Sequence, residues 1–130
     1  MNHQEEPVTV EVALEPGAAL SQRVLTVRVT IAPGYHLYAE PVPEGFVPLS
    51  VHLDPASAVV VGRPEWPVAE RLAVEDVPDQ FWVYHGQVVG RLPIEPKAAV
   101  VEGEVAYQVC TETTCFLPAR VAFRLPLERS

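Results

Sequence analysis

The segment Arg23–Ile31, RVLTVRVTI, alternates without a break. Leu25, Val27, Val29 and Ile31 fall on one side, and Val24, Thr26, Arg28 and Thr30 on the other. Successive side chains of a strand point to opposite faces, so an apolar set at period two marks a half-buried strand with that set on its core face. No stretch of the chain carries a convincing helical period. The 14 prolines also work against helices, because each removes a backbone donor and clashes with the preceding turn.

Strand signals recur along the chain, by alternation in some segments and by apolar or aromatic composition in others. Pro7–Leu14, Tyr35–Ala39, Leu49–Leu53, Val59–Val61, Phe81–Tyr84, Val88–Ile94, Glu102–Cys110 and Ala119–Leu127 all read as strands. Gly90 inside one of them reads as a bulge. Turn residues separate most of them: Pro16-Gly17, Pro33-Gly34, the loop Pro41–Pro48, Asp54-Pro55 and His85-Gly86. Arg63 to Gln80 is the least regular part, with three prolines and the acidic centre Glu70, Glu75 and Asp76. Eight or nine short strands predict an all-β fold, an immunoglobulin-like antiparallel β-sandwich, with a closed barrel as the alternative. The length suits one domain spanning residues 1–130, with residues 1–6 expected as a disordered tail.

Charge removes several function classes. The net charge is −8 and Lys97 is the single lysine, so there is no basic patch for nucleic acid or an anionic membrane surface. No apolar run approaches the ~20 residues of a membrane span. The N-terminal MNHQEEP is polar and is not a signal peptide. Either the protein is cytosolic, or Met1 stands in place of a leader or anchor.

Both cysteines lie in Tyr107–Pro118, YQVCTETTCFLP, as Cys110 and Cys115. The alternating runs before and after this segment predict a hairpin, with the thiols at the ends of adjacent strands. Antiparallel neighbours lie about 4.5–5.5 Å apart at Cα, inside the range of about 4.4–6.8 Å that a disulfide spans. A Cys110–Cys115 bridge would close a very small loop and stabilise the fold modestly. It is either the structural clip of a non-catalytic immunoglobulin-like binding or assembly module or a redox pair, and the spacing does not choose. Zinc is a third reading, with His36, His52 or His85 as further ligands, but no second compact ligand pair supports it.

Three segments together resemble the N-terminal periplasmic domain of the thiol:disulfide interchange protein DsbD. They are Gly34-Tyr35-His36-Leu37-Tyr38-Ala39, Val83-Tyr84-His85-Gly86, and Tyr107-Gln108-x-Cys110 running to Cys115 with Pro118 close behind. The similarity runs from about Pro7 to Leu127. It implies an extracytoplasmic immunoglobulin-like domain that passes electrons by thiol–disulfide exchange without a cofactor. Cys110 and Cys115 would be the active pair, with Cys115 forming the mixed disulfide. The implied donor is a thioredoxin-like protein or domain. The implied acceptors are disulfide isomerases or cytochrome-maturation thiol proteins.

The resemblance also implies a cap loop over the pair. Its nearest counterpart here is Glu75–Trp82, with Phe81 or Trp82 as the cap aromatic, and Tyr107 is a further candidate shield. Two features depart from the family pattern. Phe116-Leu117 follows the second cysteine where proline is usual, and the chain ends soon after its last strand. The second departure implies either an excised domain, natively fused to or anchored in a membrane, or a protein whose electron donor is a separate polypeptide. Tyr35 and Tyr38 read as core or rim aromatics. His36 and His85 read as structural residues at strand ends, with proton transfer by His85 as the sharper alternative.

Overall fold

The computed structural model describes residues 7–72 and 81–127. The expected N-terminal tail and residues 75–80 of the cap candidate lie outside the described residues. Eleven strands are present among them: β1 (Val8–Pro16), β2 (Arg23–Ile31), β3 (His36–Ala39), β4 (Ser50–Leu53), β5 (Ala58–Val60), β6 (Glu70–Leu72), β7 (Phe81–Tyr84), β8 (Gln87–Pro96), β9 (Val100–Tyr107), β10 (Val109–Cys110) and β11 (Ala119–Pro126). They form three sheets, with orders β1-β2-β8-β5, β10-β3-β7-β6 and β11-β9-β4. Every pairing is antiparallel. The architecture is the immunoglobulin-like sandwich expected from the alternation, not a closed barrel.

β2 sits at the centre of this arrangement, paired with β1 on one side and β8 on the other. Leu25, Val27, Val29 and Ile31 are buried to 3% exposure or less, as their alternation requires. They join one core with Val88, Leu92 and Ile94 of β8, Leu37 of β3, Val109 of β10, and Val101 and Val105 of β9. Each fully buried aliphatic side chain of this kind contributes about 1.5–3 kcal/mol relative to exposure.

Three local expectations are corrected. β6 was not expected, because Glu-Arg-Leu between prolines shows no alternation. It forms by edge pairing to β7, Leu72 opposite Phe81. Gly90 makes no bulge. The β2–β8 register runs unbroken from Arg23↔Ile94 to Thr30↔Gln87, with Gly90 opposite Val27. A Cβ there would overlap the Trp66 ring, so the glycine is a seat for that indole. Finally, the predicted strand Glu102–Cys110 breaks at Gln108. β9 pairs with β11, Tyr107 opposite Ala119, whereas β10 leaves for β3. The expected hairpin is β9–β11, but Cys110 belongs to a different sheet from it.

Candidate functional site

The sheet β10-β3-β7-β6 has two faces. Leu37 and Val109 point to the main core. On the other face Tyr38, Phe81, Val83 and Cys110 form a second, smaller cluster, packed against Val42, Phe46 and Leu72. The pair predicted from sequence lies here. Cys110 and Cys115 are joined by a disulfide with Cα atoms 4.0 Å apart, closer than the hairpin geometry suggested.

The intervening turn is fixed by Thr111. Its N–H donates to the Thr114 carbonyl at 2.7 Å, and its Oγ1 accepts from the N–H groups of Thr113 and Thr114 at 3.2 and 3.1 Å. A hydroxyl that satisfies neighbouring amides favours a turn over continued strand. The Phe116 N–H then donates back to the Val109 carbonyl at 3.0 Å. Gln108, buried at the break between β9 and β10, ties the flanks together. Its Oε1 accepts from the Val47 N–H at 3.0 Å, and its Nε2 donates to the Phe116 carbonyl at 3.1 Å.

The two sulfurs sit in unlike surroundings. Cys110 is 1% exposed, whereas Cys115 is exposed at the tip. The Tyr38 hydroxyl lies 3.4 Å from the Cys115 Sγ. A disulfide sulfur carries no hydrogen, so the phenol donates. Burial pushes the Tyr38 phenol up from its ordinary range, which keeps that donor protonated. A hydrogen bond to a thiolate is charge-assisted and stronger than one to neutral sulfur. Tyr38 is therefore placed to hold Cys115 as it becomes anionic.

The other expected residues are placed as follows. Phe81 joins the small cluster, its ring centroid 5.4 Å from that of Tyr38. Trp82 is half-buried on β7 opposite Ala39 and Arg71, outside the cluster. Tyr107 is buried and belongs to the main core. Phe46, read from sequence only as part of a loop, packs edge-on against Tyr38 at 5.0 Å and Phe81 at 5.5 Å. The one signal that could have found it is a large aromatic in an otherwise Pro/Gly loop. Phe116 and Leu117 stay 45% and 88% exposed beside Cys115, with Phe116 leaning on Tyr35. Among the described residues no three metal-type ligands converge, and His52 lies on β4, hydrogen-bonded to Ser50.

A bridge with one buried and one exposed sulfur, carried at the edge of a β-sandwich under an aromatic cluster, defines a thiol–disulfide exchange domain on an immunoglobulin-like scaffold. The chain belongs to the family of N-terminal domains of the thiol:disulfide interchange protein DsbD, whose profile matches residues 4–126. Among solved structures it is similar to the reduced form of the Neisseria meningitidis DsbD N-terminal domain. That match has 21% identity and a TM-score of 0.70, covering 99% of this chain and 92% of the other. It is also similar to the N-terminal periplasmic domain of ScsB from Proteus mirabilis, at 16% identity and TM-score 0.70, covering 97% of this chain and 49% of that one. A third match is to the complex between the N. meningitidis DsbD and PilB N-terminal domains, at 21% identity and TM-score 0.64, covering 95% and 86%. No curated protein matches the chain.

Proposed function

We propose that residues 1–130 act as a single exchange domain in which Cys115 is the sulfur that partners engage and Cys110 is the resolving sulfur. The difference in exposure across the bridge carries this reading. Exchange requires a thiolate to approach a disulfide sulfur, and Cys115 is the accessible one.

When the domain is reduced, a partner thiolate bonds to the Cys115 Sγ. The Sγ–Sγ bond breaks and its electron pair leaves on Cys110. A second partner thiol then attacks the partner's own sulfur, so that the partner departs as a disulfide and Cys115 as a thiolate. Two protons complete the dithiol. When the domain acts as reductant, the same steps run in reverse onto an oxidised protein.

The donor in this reading is a thioredoxin-like protein or domain. The acceptors are disulfide isomerases or cytochrome-maturation thiol proteins, and the setting is extracytoplasmic. The known complex of a DsbD N-terminal domain with a PilB N-terminal domain, and the periplasmic placement of the ScsB domain, support it. So does the exposed Phe116-Leu117 lip beside Cys115, which offers a partner an apolar contact. In the native setting the domain is fused to, or served by, a membrane-embedded electron source.

The test is direct exchange. Oxidised protein is mixed with a reduced thioredoxin-like domain, and both redox states are followed by mass spectrometry after acid quench. Transfer to a folded, two-thiol product is expected. Retention of the disulfide at equilibrium with excess donor would overturn the reading.

A further inference from the structure

The strand register places a row of titratable groups across the sheet from the buried cysteine to solvent. Cys110 on β10 is opposite His36 on β3. Because Leu37 is opposite Tyr84, the next position in register brings His85 beside His36, and their ring centroids are 5.8 Å apart. Gly86, with φ of +68°, makes the turn that holds His85 at the hairpin tip. His85 Nδ1 in turn lies 3.1 Å from Glu70 Oε1 on β6. Cross-strand partners project to the same face with Cβ atoms about 4.5–5.5 Å apart, so His36 and Cys110 stand on one face as a cross-strand pair. His36 is 7% exposed, while His85 and Glu70 are open to water. Among the described residues, the groups facing His36 are Cys110, Tyr38 on its own strand, and His85.

We infer that His36 is the proton acceptor for Cys110 when that thiol resolves a mixed disulfide at Cys115, and that His85 and Glu70 carry the proton to solvent. The inference rests on the exchange reading and deepens it. A thiol 1% exposed cannot hand its proton to bulk water, and burial disfavours the thiolate. In the step, the Cys110 S–H bond breaks and its proton passes to the imidazole. The freed sulfur electron pair forms the Sγ–Sγ bond, and the Cys115–partner bond breaks with its pair leaving on the partner thiolate. Burial first, and then the like charge of His85, hold His36 below the ordinary histidine range. The neutral imidazole that accepts a proton is thus the resting form near neutral pH. The Glu70 carboxylate, 3.1 Å from His85 Nδ1, offsets the charge as it arrives.

The experiment uses reduced protein and one equivalent of 5,5′-dithiobis(2-nitrobenzoate) in a stopped-flow spectrometer. The first thionitrobenzoate is released as Cys115 forms the mixed disulfide, and the second as Cys110 resolves it. In His36→Phe the second release should slow by about tenfold or more at pH 7. The deficit should close as the pH rises and hydroxide takes over, and the first release should keep its rate. His85→Gln, an exposed change, should slow the second release with the same pH form, and it carries the test if His36→Phe fails to fold. An unchanged second release in these variants, with the wild type still releasing two equivalents, overturns the proton row alone. Equal slowing of both releases with an unaltered pH profile also overturns it. If the wild type itself releases only one equivalent, Cys110 does not resolve, and the exchange reading falls with the row.

Discussion

Cys110→Ser will accumulate a covalent adduct with a thioredoxin-like partner, whereas Cys115→Ser will form none and will lose exchange by a factor on the order of a thousand or more. The asymmetry follows from burial. In Cys110→Ser the remaining thiol is the exposed one, held at the tip of a turn that Thr111 fixes without help from the disulfide. It can attack a partner disulfide, and the domain keeps no second thiol of its own to complete the transfer, so with a partner carrying a single active cysteine the adduct persists. In Cys115→Ser the remaining thiol is 1% exposed within the cluster of Tyr38, Phe81 and Val83, out of a partner's reach. Non-reducing electrophoresis after mixing with oxidised partner reads the adduct. Both variants should remain folded, because the bridge closes a loop of only a few residues and contributes less than the ~3 kcal/mol of a 15-residue loop. Adduct formation by Cys115→Ser alone would reverse the roles of the two sulfurs.

Tyr38→Ala will cost about 3–5 kcal/mol of folding stability, the usual range for removing a buried aromatic. The ring is 5% exposed and touches Phe46 and Phe81 as well as the bridge. Its loss leaves the Phe46 loop without its seat. Urea unfolding should show a lower midpoint at unchanged slope. Tyr38→Phe separates the two roles of this side chain. It keeps the ring contacts, so stability should fall by only the ~0.5–1.5 kcal/mol of one hydrogen bond. It removes the donor to Cys115, so the thiol should ionise at higher pH. The pH dependence of alkylation by iodoacetamide in the reduced protein reads that shift. A Tyr38→Phe profile superimposable on the wild type would show that the phenol does not stabilise the thiolate.

The long strands were legible because their pattern is local. Arg23–Ile31 was bounded correctly from alternation, since period two with a uniformly apolar face has one cheap solution, and Phe81–Tyr84 was bounded correctly from its aromatic composition. The disulfide was legible for a similar reason, as both cysteines stand in one short segment. What did not show was choice of partner strand. Nothing in Glu102–Cys110 announces that the chain changes sheets at Gln108, because the alternation continues through the break while the hydrogen bonds move from β11 to β3. β6 is held by an edge pairing and carries no apolar rhythm of its own.

The same limit governed the site. Tyr38 read as a packing residue because its pattern is that of any buried aromatic, and its contact with Cys115 spans 77 positions of sequence. His36 and His85 read as strand-end residues, because the row they make with Cys110 exists only in the register of three strands. Phe46 packs against the cluster of Tyr38, Phe81, Val83 and Cys110 from a loop without periodicity.

The central claim is that the Cys110–Cys115 bridge exchanges rather than fastens. Its most direct measurement is the equilibrium reduction potential of the folded protein, titrated against glutathione and dithiothreitol. An exchange pair gives a value between the thioredoxin and isomerase ranges, about −270 to −180 mV. A value below about −300 mV, with the bridge resistant to reduction until the protein unfolds, would make it a structural clip and contradict the function proposed for this domain.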